Sequence, residues 1–170
     1  MVRPATAADA AAIARIYNQG IEDRVATFET EPRTARQIEA MLAERGERHP
    51  TVVLERDGTV VAWAGVSTYR SRPCYDGVGE FSVYVERGSR SSGAGSAVLQ
   101  GLVDACERLG FWKLVSRVFP ENVASRALCR RLGFREVGVY RRHGKLDGAW
   151  RDCVIVERLM GEAAEPDRRP

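Results

Sequence analysis

The sequence predicts a mixed α/β fold, a mostly antiparallel central sheet flanked by helices. Three observations carry that expectation. Alternating runs rich in β-branched residues recur from Thr51 onward, stretches with apolar residues every three or four positions separate them, and Asp-Gly or glycine-rich turns fall between. The chain has 170 residues, a length that suits one domain burying roughly 70% of its unfolded surface. A single domain is expected over 1–160, with "GEAAEPDRRP" (161–170) a disordered tail.

The expected element order is β-α-α-β-β-β-α-β-α-β-β. Thr6-Ala-Ala-Asp9 resembles a capping box and precedes Ile13, Ile16 and Tyr17 at helical spacing. "GIEDRVATFETEPR" (20–33) is polar and proline-ended, and reads as a loop or broken helix. Thr34-Ala-Arg-Gln37 is a second box, opening a helix with Ile38, Met41 and Leu42 inward. "TVVLERDGTVVAWAGVSTY" is a hairpin about Asp57-Gly58, because both turn positions favour positive φ. "RSRPCYDG" interrupts, and "VGEFSVYV" resumes as a strand. Val98, Leu99, Leu102, Val103 and Cys106 then share one helical face. "KLVSRVF" is a strand, "NVASRALCRRLG" a helix, and two strands close the chain from Phe134.

Composition narrows the function classes. Net charge is +3, from 26 basic and 23 acidic residues, too mild for a nucleic-acid surface, and no Lys/Arg cluster is interleaved with aromatics. No apolar stretch approaches bilayer length and "MVRPATAADA" has no apolar core, so a cytoplasmic location is expected. Cys74, Cys106, Cys129 and Cys153 form no CxxC pair and no metal-ligand spacing with His49 or His143, so no metal is expected. Cys106 and Cys153 read as buried free thiols.

"RSSGAGS" (90–96) runs from a strand into a helix N-terminus, the general design of an anion cradle: glycine admits the ligand to the backbone amides, and the helix adds about half a positive charge. A Walker loop is excluded, because Ala94 and Gly95 stand where it needs Lys and Ser/Thr. A dinucleotide fingerprint is excluded because Gly93-Ala-Gly95 continues to Val98 and a hairpin precedes the strand. Arg90-Ser-Ser-Gly93-Ala-Gly95 does fit [RQ]xxGx[GA] after an apolar strand. In this it resembles the acetyl-CoA pyrophosphate loop of the GNAT superfamily of N-acetyltransferases. "ENVASRALCRRLGFREVG" (121–138) resembles that superfamily's following motif, an Asn-started helix closed by Leu-Gly-Phe. "IYNQGIEDRVATFETEPR", "YRSRPCYDGVGEFSVYV" and "GAWRD" extend the likeness, over nearly the whole chain, to the phosphinothricin and arsinothricin N-acetyltransferases, which also take methionine sulfone or sulfoximine.

The resemblance implies the GNAT acyltransferase fold, acetyl-CoA as cosubstrate, a small-molecule amine acceptor, a homodimer, and direct attack without an acyl-enzyme. It places the general base at Glu80; alternation sets Glu80, Ser82 and Tyr84 on one strand face. It implies a splayed strand at Val83, Tyr84 and Val85, whose amides meet the acetyl carbonyl and the pantetheine. It puts the pyrophosphate on Arg90, Ser91, Ser92, Gly93, Ala94, Gly95 and Ser96. Asn122, with Ser125, would contact the cofactor, cap its helix, or do both. Arg70 and Arg72 stand where the phosphinothricin enzymes carry basic residues toward the substrate, and bidentate guanidinium suits a carboxylate or phosphinate. Phe28, Glu29 and Tyr75 are expected in the same pocket. Two departures stand out: Cys129 occupies a position where relatives carry Tyr, and Asp147 one where they carry His. The donor of the leaving thiolate's proton is therefore open between another residue, such as Tyr140, and solvent. Two other readings keep the fold: a protein or peptide N-terminal acetyltransferase, and a non-catalytic acyl-CoA-binding module.

Overall fold

The computed structural model describes residues 1–166. β1 (Val2–Pro4), α1 (Ala10–Glu22), α2 (Ala35–Arg45), β2 (Thr51–Arg56), β3 (Thr59–Thr68), β4 (Val78–Val85), α3 (Ala94–Arg108), β5 (Lys113–Val118), α4 (Val123–Arg131), β6 (Arg135–Leu146) and β7 (Ala149–Leu159) follow in the expected order. The seven strands join in one sheet, ordered β1-β2-β3-β4-β5-β7-β6. Every pairing is antiparallel except β4 with β5. Of the expected tail, Gly161–Ala164 forms a 3-10 turn, and residues 167–170 lie outside the described range.

Turn chemistry sets the hairpins. Asp57 and Gly58 both adopt positive φ (49° and 74°), and so do Asp147 and Gly148 (48° and 78°) between β6 and β7. The sequence reading of 20–33 is corrected at its start, because α1 runs on through Glu22. Gly20 permits this: a side chain there would overlap the Tyr84 ring, so glycine lets the helix lie close to β4. Arg24, at φ 57°, ends the helix with its guanidinium on the Ile21 carbonyl at 2.9 Å.

The middle of the sheet, around β3 and β4, is covered on both faces. On one, Ile13, Ile16 and Ile38 of α1 and α2 pack on Val53, Val60 and Trp63. On the other, Val98, Leu99, Leu102 and Val103 of α3 pack on Ala62, Ala64, Val66 and Phe81. Each such side chain stabilises the fold by about 1.5–3 kcal/mol relative to exposure. Cys106, Cys129 and Cys153 are buried free thiols and Cys74 is exposed.

Asp9 ties three elements together at the entrance to α1. Its Oδ2 accepts from the Thr6 amide at 2.8 Å, and its two oxygens accept from Arg3 at 2.8 and 2.9 Å. Arg3 also donates to Glu55 of β2 at 2.9 Å. The Arg3 hydrogen bonds outweigh burial and hold the Asp9 carboxyl at about 2. A carboxyl whose folded pKa lies below its unfolded value stabilises the fold above that value, and the contribution is lost as pH falls through the folded pKa. Asp9→Asn should therefore lower the unfolding free energy by about 2 kcal/mol at neutral pH. The gap between wild-type and variant urea curves should close as pH drops from about 4 to about 2.

Candidate active site

β4 and β5 begin side by side and then part. Their parallel ladder pairs only Val78, Gly79 and Glu80 with Lys113, Leu114 and Val115. One further link follows, the Ser116 hydroxyl donating to the Phe81 carbonyl at 2.8 Å. On its other side β4 stays paired with β3 as far as Val85, and the Glu86 amide donates to the Val61 carbonyl at 2.9 Å. Backbone polar groups alternate along a strand, so those of Ser82, Tyr84 and Glu86 face β3. Those of Val83 and Val85 face the gap. The expectation for Tyr84 is thus corrected: its amide serves the sheet, and it presents its ring, which stacks on Trp63 at 5.1 Å.

The glycine loop closes one end of this gap. Ser91 (φ 61°) and Gly93 (φ 81°) turn the chain, and Gly93 caps α3. The first helical bond runs from the Ala97 amide to the Gly93 carbonyl at 3.1 Å. The amides of Ala94, Gly95 and Ser96 precede it, open at the positive end of a 15-residue helix. Cations surround them. Arg90 donates to Asp23 at 2.6 Å and Arg131 to the Ser96 hydroxyl at 3.2 Å, while Arg56 holds the Ser92 hydroxyl at 2.8 Å. Partial burial pushes the Asp23 carboxyl up, but Arg87 and Arg90 outweigh it and bring it below its ordinary value.

A cleft of about 550 Å³ joins these features. Ten of the twelve residues expected at the cofactor line it: Val83, Tyr84, Val85, Arg90, Ser91, Gly93, Gly95, Ser96, Asn122 and Ser125. The other two do not. Ser92 turns out toward Arg56, and the Ala94 methyl is buried in the core, 1% exposed, so only its amide faces that way. Asn122 has two structural duties: its Oδ1 caps α4 through the Ser125 amide at 3.1 Å, and its Nδ2 donates to the Val25 carbonyl at 3.1 Å.

Glu80 stands at the last rung of the β4–β5 ladder, half-buried, on the face that carries Tyr84. Its Oε1 accepts from Arg117 of β5, from Nε at 3.0 Å and also from Nη2. Its Oε2 takes no hydrogen bond among the described residues. Arg117 in turn meets His143, 3.5 Å from Nη1, and His143 packs on Tyr140 with ring centroids 5.0 Å apart.

The residues expected at the acceptor fall into separate places. Phe28 packs edge-on against Phe119, 4.9 Å between centroids, and covers Gly144. Arg70, Arg72 and Tyr75 lie on the loop between β3 and β4 and do not line the cleft. Arg70 is exposed over the Tyr69 ring at 5.3 Å, and Tyr75 meets that ring edge-on. Arg72 is exposed, and its side chain makes no hydrogen bond among the described residues. Glu29 is held by Arg33 through bonds of 2.8 and 2.7 Å, which bring its carboxyl below its ordinary value.

Neither departure from the family pattern reaches the cleft. Cys129 is 2% exposed in the core, and burial pushes its thiol up to about 11. Asp147 forms the β6–β7 turn and pairs with Arg24 at 3.0 Å. Sequence reasoning missed Asp23, Arg117 and Arg131. Only Arg131 had a local signal, its place in the helix after the loop.

A family model described as the acetyltransferase (GNAT) family matches residues 13–134. Phosphinothricin N-acetyltransferase of Streptomyces viridochromogenes is 34% identical over 97% of this chain and 90% of its own. The L-methionine sulfoximine/L-methionine sulfone acetyltransferase of Salmonella typhimurium is 30% identical over 98% of each. A phosphinothricin acetyltransferase of Sinorhizobium meliloti, solved with acetyl-CoA, superposes with TM-score 0.88 at 32% identity, covering 99% of this chain and 93% of that one. The ribosomal-protein-alanine N-acetyltransferase structure from Brucella melitensis gives 0.90 at 29% identity over 94% and 99%. The model match spans well over half the sequence, and the chain belongs to the acetyltransferase (GNAT) family.

Proposed function

We propose that this chain moves the acetyl group of acetyl-CoA to the α-amine of a small amino-acid-like substrate of the phosphinothricin, arsinothricin and methionine sulfone or sulfoximine class. One observation carries the reading: the β4–β5 ladder stops at Glu80, and the open amides of Ala94–Ser96 stand beyond the end of β4, at the same gap. The edge at Val83 and the Val85 amide, unpaired with β5, matches an extended amide-bearing arm, and the Ala94–Ser96 amides with Arg90 and Arg131 match a diphosphate. When bound, acetyl-CoA supplies the activated acetyl group as a thioester. The Val83 and Val85 amides then polarise its carbonyl, pre-aimed because β5 leaves them no partner. Glu80 takes the ammonium proton through Oε2, directly or through a water, while Arg117 fixes the carboxylate by Oε1. Cys129 is sealed in the core and Asp147 is paired, which leaves Tyr140 or solvent to protonate the departing thiolate. Arg70, Arg72, Phe28 and Tyr75 are assigned to the acceptor's side chain. The names of the relatives support that substrate class.

The same reading takes the enzyme to work in the cytoplasm as a homodimer. Among the described residues no helix is long and apolar enough to cross a membrane. β6 is an edge strand with Val137, Val139 and Tyr140 exposed, and Trp150 is exposed on β7 beside it. The test is CoA release from acetyl-CoA with phosphinothricin, methionine sulfone and an alanine-started peptide as acceptors. Turnover of the free amino acids is expected; turnover of the peptide alone would favour the N-terminal acetyltransferase reading.

Two substitutions test the site. Gly93→Val puts a side chain at φ 81° beside the diphosphate amides and should raise the acetyl-CoA KM at least about tenfold. An unchanged KM in a folded variant would contradict the loop assignment. Glu80→Gln keeps the shape of the side chain and cannot accept the ammonium proton. Its kcat at pH 7 should fall about 10²–10⁴-fold, and the deficit should shrink as pH rises toward the amine's own pKa. A purely structural Glu80 would instead lower the melting temperature and give no recovery with pH.

A further inference from the structure

α2 carries one residue out of keeping with its stripe. Ile38, Met41 and Leu42 pack inward, and the same spacing brings Arg45 onto the sheet. Its guanidinium lies directly over Gly65 of β3, where a Cβ would overlap Nη1. Nη1 donates to the buried Thr51 hydroxyl at 3.0 Å. That is the one hydrogen bond its N–H groups make among the described residues, and no carboxylate there lies within ion-pair distance. Burial pulls its pKa down, whereas Arg3, Arg33, Arg87 and Arg126, each paired with a carboxylate, move up. Tyr17 and Glu44 act on it only through space and do not offset burial. A largely desolvated cation with no carboxylate in contact is unfavourable unless something else supplies the negative charge.

The sheet beneath it points to what that is. Gly65 pairs with Ser82 and Ser67 with Glu80, all four on the face Arg45 covers. Gly65, Ser67 and Ser82 are small, so the floor between the Arg45 guanidinium and the Glu80 carboxylate stays low. Two residues along β3 and one strand across, the positions of Gly65 and Glu80 are roughly 8 Å apart. The guanidinium stands over Gly65 and the Glu80 carboxylate leans off β4 toward Arg117, so the two groups are at least that far apart. With a hydrogen bond of about 3 Å at each end, the gap takes a span of a few covalent bonds. That is the separation of an α-amine from its own α-carboxylate.

We infer that Arg45 holds the α-carboxylate of the acceptor, placing the α-amine at Glu80; this rests on the amino-acid acetyl-transfer reading above. The side-chain head then points away from α2, toward the loop of Arg70 and Arg72. Arg45 so separates amino acids from plain amines.

The test is steady-state CoA release with methionine sulfone and with its carboxamide, which keeps the amine and the sulfone and lacks the charge. Wild type should prefer the acid by about tenfold to a hundredfold in kcat/KM. Arg45→Met should raise the KM for the acid by that factor, leave the carboxamide and acetyl-CoA values within about twofold, and erase the preference. Arg45→Lys should restore part of it. In melts without acetyl-CoA, the acid should protect wild type and not Arg45→Met. A wild type indifferent to the carboxylate would overturn the assignment even if every variant failed to fold. Equal loss on acid and carboxamide in a folded variant would overturn it too, by showing that Arg45 only braces α2. Turnover without carboxylate discrimination would sink Arg45 alone. No turnover of any free amino acid would sink the acceptor class and Arg45 with it.

Discussion

Beyond Phe81, β4 has only one neighbouring strand to bond with, and the rest of the site depends on that constraint. Each of the two diverging strands keeps a full ladder on its outer side. β4 follows β3 to the Ala62–Val85 pair, and β5 follows β7 from Lys113–Leu159 to Val118–Val154. Sheet twist turns the two pairs apart, and only the inner hydrogen bonds are lost. The opening is held by packing from below. Leu128 of α4 lies against Gly95 and Val85, so a side chain of one helix sits between the first turn of α3 and the end of β4. Unpaired backbone groups are expensive to bury. The Val85 carbonyl accepts from Arg90 Nε at 3.3 Å. The groups of Val83 and the Val85 amide, left beside a cleft, remain available to a ligand that is itself extended and amide-bearing.

The glycine loop is fixed by charge as much as by geometry. Asp23, at the end of α1, accepts from both Arg87 and Arg90 at 2.8 and 2.6 Å. Arg15 of the same helix reaches Glu86. Exposed pairs of this kind contribute little stability one by one. Their effect is positional: they tie the α1 end of the cleft to the loop and keep Arg90 over the open amides. On the proposed reading, a diphosphate entering there would compete with Asp23 for Arg90, the carboxylate being its stand-in anion.

The order of elements was legible because each boundary has local chemistry: two Thr capping boxes, Asp57-Gly58, and the glycine that opens α3. The loop reading of 20–33 starts three residues too early because the reason for a glycine at 20 lies on β4, in the ring of Tyr84. The glycine loop could be read as an anion cradle from its own residues, and five of these do meet Val83, Tyr84, Val85, Asn122 and Ser125 in one cleft. Ser92, Ala94 and the Tyr84 amide went astray because strand parity and loop twist are decided by hydrogen-bond partners far along the chain. Arg117 left no trace in sequence, being joined to Glu80 only by the pairing of two strands. Asp147 shows the opposite limit. A family position where relatives carry His is here simply the first residue of an Asp-Gly turn, a signal as plain as the one at Asp57.

Arginine is abundant in this chain, and its abundance hides which arginines matter. Several are matched to an acid: Arg3 with Asp9, Arg33 with Glu29, Arg126 with Glu136, Arg151 with Glu121. Exposed ones without a partner, Arg72 among them, stay solvated at no cost, so their lack of a partner says little. Arg45 differs because its charge is largely withdrawn from water with one hydroxyl for company. A leucine there would continue the stripe of α2 and still meet bare backbone at Gly65. The fold instead keeps a cation over a glycine, one strand from Glu80. An amino acid lying between them would place its carboxylate toward the cation and its amine toward the base. The same placement would turn that amine to the gap that β4 cannot close.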